Sequence, residues 1–235
     1  MKTIYVTLLI LIFTPIISYG QGESRSVYNS MSFFDFNNKV RYSKMINGEQ
    51  NALYSGSPYI TKSFRRGSLT MEDGSTFTDL LLRYNNYKDI MEIKIDSGEF
   101  ELSKSFPINS VTINGFKYKR KQWMKDNVIR EGFFVVLSDK NVGLYQKKVV
   151  VLQEAKVAKA YQEAKLPSFR EKKVRYYANN TKSNILIEVS NKKRLLSLFS
   201  DKQTEIKKYM KENKVKANNP KDLTKILNYY NSLVN

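Results

Sequence analysis

Val111-Thr112-Ile113-Asn114-Gly115-Phe116-Lys117-Tyr118-Lys119 decides the fold class of this chain. Two short runs rich in β-branched and aromatic residues flank Asn-Gly, a pair that accepts the positive φ a two-residue hairpin turn requires. The same grammar recurs on both sides. Leu69-Thr70-Met71 and Thr76-Phe77-Thr78 flank Glu72-Asp73-Gly74-Ser75. Met91 to Ile95 alternates, turns at Asp96-Ser97-Gly98 and returns as Glu99-Phe100-Glu101-Leu102. Phe133 to Leu137 is apolar without interruption and reads as a central strand, while the period-two alternation of several other strands implies one wet face. Leu144-Tyr145 and Val149 to Leu152 together read as one more strand. Val174 to Ala178 and Ile185 to Val189 straddle Asn179-Asn180-Thr181-Lys182-Ser183 as a last hairpin, and Ala155 to Ala164 reads as a short helix or an exposed connection. Hairpins in series with no βαβ rhythm predict an α+β protein: an antiparallel meander, sandwich or partly open barrel with a C-terminal helical tail.

The tail begins near residue 190. Ser200 with Gln203 fits a capping box and predicts a helix to about Asn213. Asn219 as N-cap, Pro220 at the first helical position and Asp222 in the first turn predict another. Leu223, Ile226, Leu227, Tyr230 and Leu233 then fall on one stripe. A lone helix of this length is marginal in water, so that stripe must dock.

Ahead of the hairpins, Lys2, the apolar run Ile4 to Ile17 and the small residues of Ser18-Tyr19-Gly20 form the three parts of a secretory signal, with cleavage expected near Gly20-Gln21. The run is about fourteen residues long, carries Pro15 and is short for a membrane span. The expected organisation is a signal peptide over 1–20, an N-terminal arm or laid-on strand over 21–55, a β-rich domain over 56–190 and a helical segment over 191–235 that packs on it. Gly56-Ser57-Pro58 marks the domain boundary. The expected address is the periplasm or the outer membrane, with no integral span once the signal is removed.

Composition excludes much familiar chemistry. The chain has no histidine and no cysteine, so Ser-His-Asp and Cys-His catalysis and His/Cys zinc sites are unavailable. None of its ten glycines forms a phosphate-binding loop, and no cofactor is expected. Ser190 and Lys193 have the S-x-x-K spacing but lack the companion motifs of the enzymes that use it. Asp96, Glu99 and Glu101 near Gly98 lack the oxygens of a calcium site and read as a turn. Glu99 and Glu101 share one strand face, which leaves a carboxylate-dependent hydrolase of envelope polymers as the alternative reading.

The formal charge is +18, which favours anionic partners. Lys117, Lys119 and Lys121 share a strand face with Trp123, the one tryptophan, and cations beside π-faces suit acidic polymers. Lysines guarding a strand against edge pairing give the same pattern. Lys207, Lys208 and Lys211 crowd one side of the expected tail helix, opposite Ile206, Tyr209 and Met210, as in helices that lie on an anionic surface. The expected function is a non-enzymatic binding or accessory module of the cell envelope. Its expected partner is an envelope protein complex or an anionic envelope polymer, with peripheral membrane association allowed and nucleic acid ranked last.

Gly56-Ser57-Pro58-Tyr59, Leu82-Arg83-Tyr84-Asn85 and Met91-Glu92, with the closing Asp222-Leu223 and Tyr229-Tyr230-Asn231-Ser232, are the residues in which the chain resembles an uncharacterised family of exported proteins from bacteria with outer membranes. The resemblance spans most of the chain after the leader. It implies residence in the envelope and a single unit of β-domain plus helical tail, and it carries no catalytic residue.

Overall fold

The computed structural model describes residues 32–41, 43–46, 54–140, 142–158, 163–179, 183–217 and 219–234. The leader over 1–20, most of the arm and the centre of the 179–183 loop lie outside the described residues. Twelve strands are described: β1 (Arg65–Met71), β2 (Thr76–Asn85), β3 (Ile90–Ile95), β4 (Gly98–Glu101), β5 (Ile108–Ile113), β6 (Phe116–Lys125), β7 (Val128–Asp139), β8 (Gly143–Lys147), β9 (Val150–Gln153), β10 (Ser168–Glu171), β11 (Arg175–Ala178) and β12 (Ile187–Glu188). Ten of them pair antiparallel in the order β12-β11-β8-β7-β6-β5-β1-β2-β3-β4, while β9 and β10 form a separate ribbon. The protein is α+β with an open, mostly antiparallel sheet.

Turn chemistry sets the hairpins. Asn114 and Gly115 join β5 to β6 with φ of +48° and +80°. Asp126 and Asn127 do the same between β6 and β7 at +50° and +60°. Asp and Asn tolerate that region where most residues do not.

The core changes face along the sheet. Phe133 packs with Leu69, Leu82, Ile93 and Val111 in one cluster. Its neighbour Phe134 points the other way, into a cluster with Tyr145, Tyr177 and Leu186. Adjacent strand residues alternate faces, so both sides of β7 are covered at this point. That is why the run from Phe133 to Val135 is apolar and buried throughout. On the second side, Leu186 accepts from the Met124 backbone and donates to the Gln122 carbonyl, which draws the strand before β12 against the far end of β6. The ladder stays open, yet β6, β7, β8 and β11 and the bridge residue Leu186 surround this aromatic cluster.

The arm contains a helix, α1 (Phe33–Arg41), where the sequence reading gave an irregular arm or a strand. Ser32 caps it: its hydroxyl oxygen accepts from the Asp35 N–H at 3.1 Å. Phe36 and Val40, one turn apart, are fully buried on the first cluster, and Phe36 stacks on Phe77 at 4.4 Å. Downstream, Ile46 donates to the Glu99 carbonyl and Glu101 donates to the Lys44 carbonyl, so residues 44–46 cover the edge of β4.

The tail forms α2 (Lys192–Ser197), α3 (Gln203–Glu212) and α4 (Pro220–Leu233). Leu223, Ile226, Leu227 and Tyr230 pack with Val142, Leu144 and Ala178, so these helices rest on the sheet; Leu233 is half-buried. Asn231 accepts from the Val142 N–H at 3.1 Å and pins α4 to the start of β8. Asn219 is the N-cap of α4, accepting from Lys221 and Asp222. The Ser200 capping box is not formed. The N-cap of α3 is Lys202, and the Gln203 amide instead reaches back to the Leu196 carbonyl at the end of α2. Accordingly, Asn219→Ala costs about 1 kcal/mol in urea unfolding, whereas Ser200→Ala stays within about 0.5 kcal/mol of the parent.

Candidate functional site

The sequence-predicted residues occupy two places. On β6, Lys117 is exposed, and among the described residues its ammonium has no partner. Lys119 is paired with Asp139. Burial pushes the Asp139 carboxyl up, but hydrogen bonds from Lys119 and Tyr145 and the charges of Lys119 and Lys121 hold it below its ordinary value. Lys121 lies over the Tyr145 ring at 5.4 Å. Trp123 meets Phe134 and Tyr177 edge to face, at 6.2 and 5.5 Å between ring centroids. Its indole N–H is buried and has no hydrogen-bond partner among the described residues. The ring therefore fills the second core cluster and does not stand out from it as a platform.

On α3, Lys207 donates to Gln203 at 3.0 Å and Lys208 faces Glu212 at 3.9 Å, both on the exposed surface. Lys211 is placed differently. It lines a broad groove of about 500 Å³ with Lys192 and Lys216, over a floor that includes the buried Met210, Val215 and Ala217. None of the three ammonium groups has an ion pair or side-chain hydrogen bond among the described residues, and no carboxylate lines the groove. Between residues 190 and 234 the chain has eleven Lys and Arg against four Asp and Glu. The tail therefore carries a concentrated positive field.

The two basic groups do not meet. Lys119 and Lys121 project from the face that carries Phe134 and Tyr145, whereas the tail helices cover the face that carries Leu144 and Ala178. Sequence reasoning found Lys211 but missed Lys192 and Lys216. Their spacing of nineteen and five residues from Lys211 follows no helical period, because loops bring them together.

Glu99 and Glu101 lie on one face of β4, and each is held by cations. Glu99 pairs with Arg83 at 3.3 Å and Lys94 at 3.4 Å, and Glu101 with Lys88 at 2.8 Å. Arg83 is the hub. It pairs with the buried Glu92 at 2.7 Å, donates to the Lys62 carbonyl, and sits 4.0 Å from the centroids of both Tyr59 and Phe64. Glu92 also accepts from Tyr59 and Asn85. The network fastens residues 59–64 across the sheet.

A cleft of about 110 Å³ opens beside these residues. Leu82, Ile113, Val135 and the tilted pair Tyr84–Tyr118, 5.5 Å between centroids, form its apolar wall. Arg65, Lys148, Asn114 and Gln146 stand around it. Burial pushes the Tyr118 phenol up. Sequence reasoning assigned none of these residues to a site: Ile113 and Asn114 read as hairpin, and Tyr118 as the apolar alternate of the β6 lysines.

Among the described residues, no group of three or more Asp, Glu, His or Cys side chains is placed to hold a metal ion. No described helix is long and apolar enough to cross a membrane. No protein-family model, no curated protein and no solved structure matches the chain.

Proposed function

We propose that this chain is an exported, non-enzymatic module of the cell envelope that grips an anionic envelope polymer through its helical tail. The observation that carries the reading is the groove of Lys192, Lys211 and Lys216, three cations whose ammonium groups have no ion pair among the described residues and whose groove has no carboxylate in its lining. Unpaired ammonium groups over an apolar floor gain more from a polyanion than lysines already neutralised by acids, such as Lys119 or Lys208. The secretory pattern of residues 1–20 and the resemblance to exported envelope proteins supply the address. In cells, the exported chain begins at Gln21 by N-terminal sequencing.

The test is sedimentation of the mature chain with isolated outer-membrane fragments. The chain is retained at low salt and released at high salt, because its contacts are ionic. Substituting Lys192, Lys211 and Lys216 together by glutamine weakens retention about tenfold or more, each lysine near an anionic surface contributing about 1 kcal/mol. The pair Lys117→Gln and Lys121→Gln leaves it within about twofold. Retention that ignores both salt and the triple substitution overturns the reading. Retention abolished by protease treatment of the fragments transfers the partner from polymer to acidic protein.

A further inference from the structure

We infer that the cleft between residues 60–65 and strands β5 to β8 is a binding site for a small organic anion, a carboxylate or phosphate carried on a single planar or short apolar body. This site is separate from the tail groove and does not depend on how the tail is used.

The case rests on an imbalance of charge. Fifteen residues line the cleft, and none is Asp or Glu, while Arg65, Arg83 and Lys148 bring three cations. Arg83 is spoken for by Glu92 and Glu99. Arg65 and Lys148 are not: among the described residues neither makes an ion pair or a side-chain hydrogen bond. The buried Lys147, next in sequence to Lys148, is by contrast matched to Asp89 at 2.7 Å. Two unmatched cations at one cleft mark the place where an anion from outside completes the pairing.

Neutral donors stand with them. The Tyr118 hydroxyl makes no hydrogen bond among the described residues, unlike that of Tyr84, which donates to Asp89 at 2.6 Å. Burial keeps the Tyr118 phenol protonated, so it serves as a donor. The Gln146 amide is only loosely engaged, 3.4 Å from the Tyr176 hydroxyl.

Size and wall chemistry define the rest of the ligand. An apolar cavity of about 150 Å³ holds one benzene ring. A cleft of about 110 Å³ that opens to solvent therefore takes one ring or a short chain, with its charged end at the mouth. Tyr84, Tyr118 and Val135 offer it apolar and aromatic surface.

Calorimetric titration of the full mature chain tests this with four probes: phenyl phosphate, benzoate, inorganic phosphate and benzyl alcohol. At least one aromatic anion binds saturably, and inorganic phosphate and benzyl alcohol bind about tenfold or more weaker. The more tightly bound of phenyl phosphate and benzoate identifies phosphate or carboxylate as the natural head. The double variant Arg65→Gln, Lys148→Gln lowers affinity for that anion about tenfold or more, and Tyr118→Phe lowers it about threefold or more. Arg65 and Lys148 have no side-chain partner among the described residues, and Tyr118→Phe keeps the ring that packs on Tyr84, so the melting temperatures match the parent. Absence of saturable binding by both aromatic anions, unchanged affinity in the double variant, or equal binding of benzyl alcohol overturns the assignment.

Discussion

Replacing Asp89 by asparagine lowers the unfolding free energy by about 3 kcal/mol, read in urea as an earlier midpoint with an unchanged slope. Asp89 lies in the turn between β2 and β3 with φ of +58°, a conformation asparagine accepts as readily, so the backbone is undisturbed. What changes is charge. The Lys147 ammonium is buried against the rings of Phe134 and Trp123 and is paired with Asp89 at 2.7 Å. Burial pulls its pKa down, and the Asp89 charge and hydrogen bond restore part of it. Without that carboxylate the cation keeps one strong acceptor, the Phe133 carbonyl at 3.0 Å. Asp89 also accepts from the Phe133 N–H and from Tyr84, so one carboxylate ties the β2–β3 turn to β7 and β8. Gly132 makes room for it: a Cβ there would stand 2.1 Å from Asp89 Oδ2. Adding Lys147→Met to Asp89→Asn recovers most of the loss, because a buried pair exchanged for apolar bulk is often neutral. A single-variant loss below about 0.5 kcal/mol would show that this contact does not hold the two halves together.

That contact also shows where reading the chain reaches its limit. Hairpins were legible because turn chemistry is local: Asn114-Gly115 needs only its own two residues to declare positive φ. Asp126-Asn127 makes the equivalent turn without glycine and so gave a weaker signal, although β6 and β7 are the longest-paired strands of the sheet. The cap of α4 was legible for the same local reason. Ser200 misled because its turn is decided by tertiary packing: Leu198 and Phe199 are buried among the tail helices, and Gln203 serves the preceding helix. Helix α1 carried a local signal in Ser32 and Asp35, but among the described side chains only Phe36 and Val40 mark its apolar face, too few to show a period.

The candidate sites were less legible than the fold. A lysine-rich composition announces a positive field without saying which cations are matched. Lys119 and Lys211 look alike in sequence, yet one faces Asp139 and the other an acid-free groove. Arg65, Tyr118 and Lys148 come from three separated segments whose side chains share a cleft only after the sheet has curled. Phe133 and Phe134 explain the difficulty. The run predicted a central strand, but the switch of core from one face to the other depends on Tyr145, Tyr177 and Leu186 arriving later in the chain.

Buried tyrosines in all three core clusters make the fold sensitive to alkali. Five tyrosines have phenols held above their ordinary value of about 10: Tyr230 on α4, raised by burial and by Asp201, and four on the sheet. Burial raises Tyr84, helped by Asp89, and burial raises Tyr118. Burial and then the hydrogen bond to Asp139 raise Tyr145, and burial with the charge of Glu188 pushes Tyr177 up to about 12. Above about pH 10 the unfolded chain loses these protons while the folded chain keeps them, so stability falls as pH rises. The contribution is complete below pH 10 and is lost on the way through each folded value. Lys147 acts in the opposite sense, since its folded pKa is lowered: the unfolded chain holds that proton longer, and stability gains until the ordinary lysine value of about 10.5 is passed. The loss therefore steepens beyond about pH 10.5, each retained phenol proton adding about 1.4 kcal/mol per pH unit. Circular dichroism should hold to about pH 10.5 and then collapse cooperatively by about pH 12. Phenolate absorbance rises in two stages, with exposed tyrosines first and the buried set at the midpoint of unfolding. Tyr145→Phe removes one titrating group and makes the alkaline fall in stability shallower. If all the tyrosines ionise together near pH 10 with the dichroism unchanged, the rings around β7 are not sealed from water, and the two-faced core described for that strand is wrong.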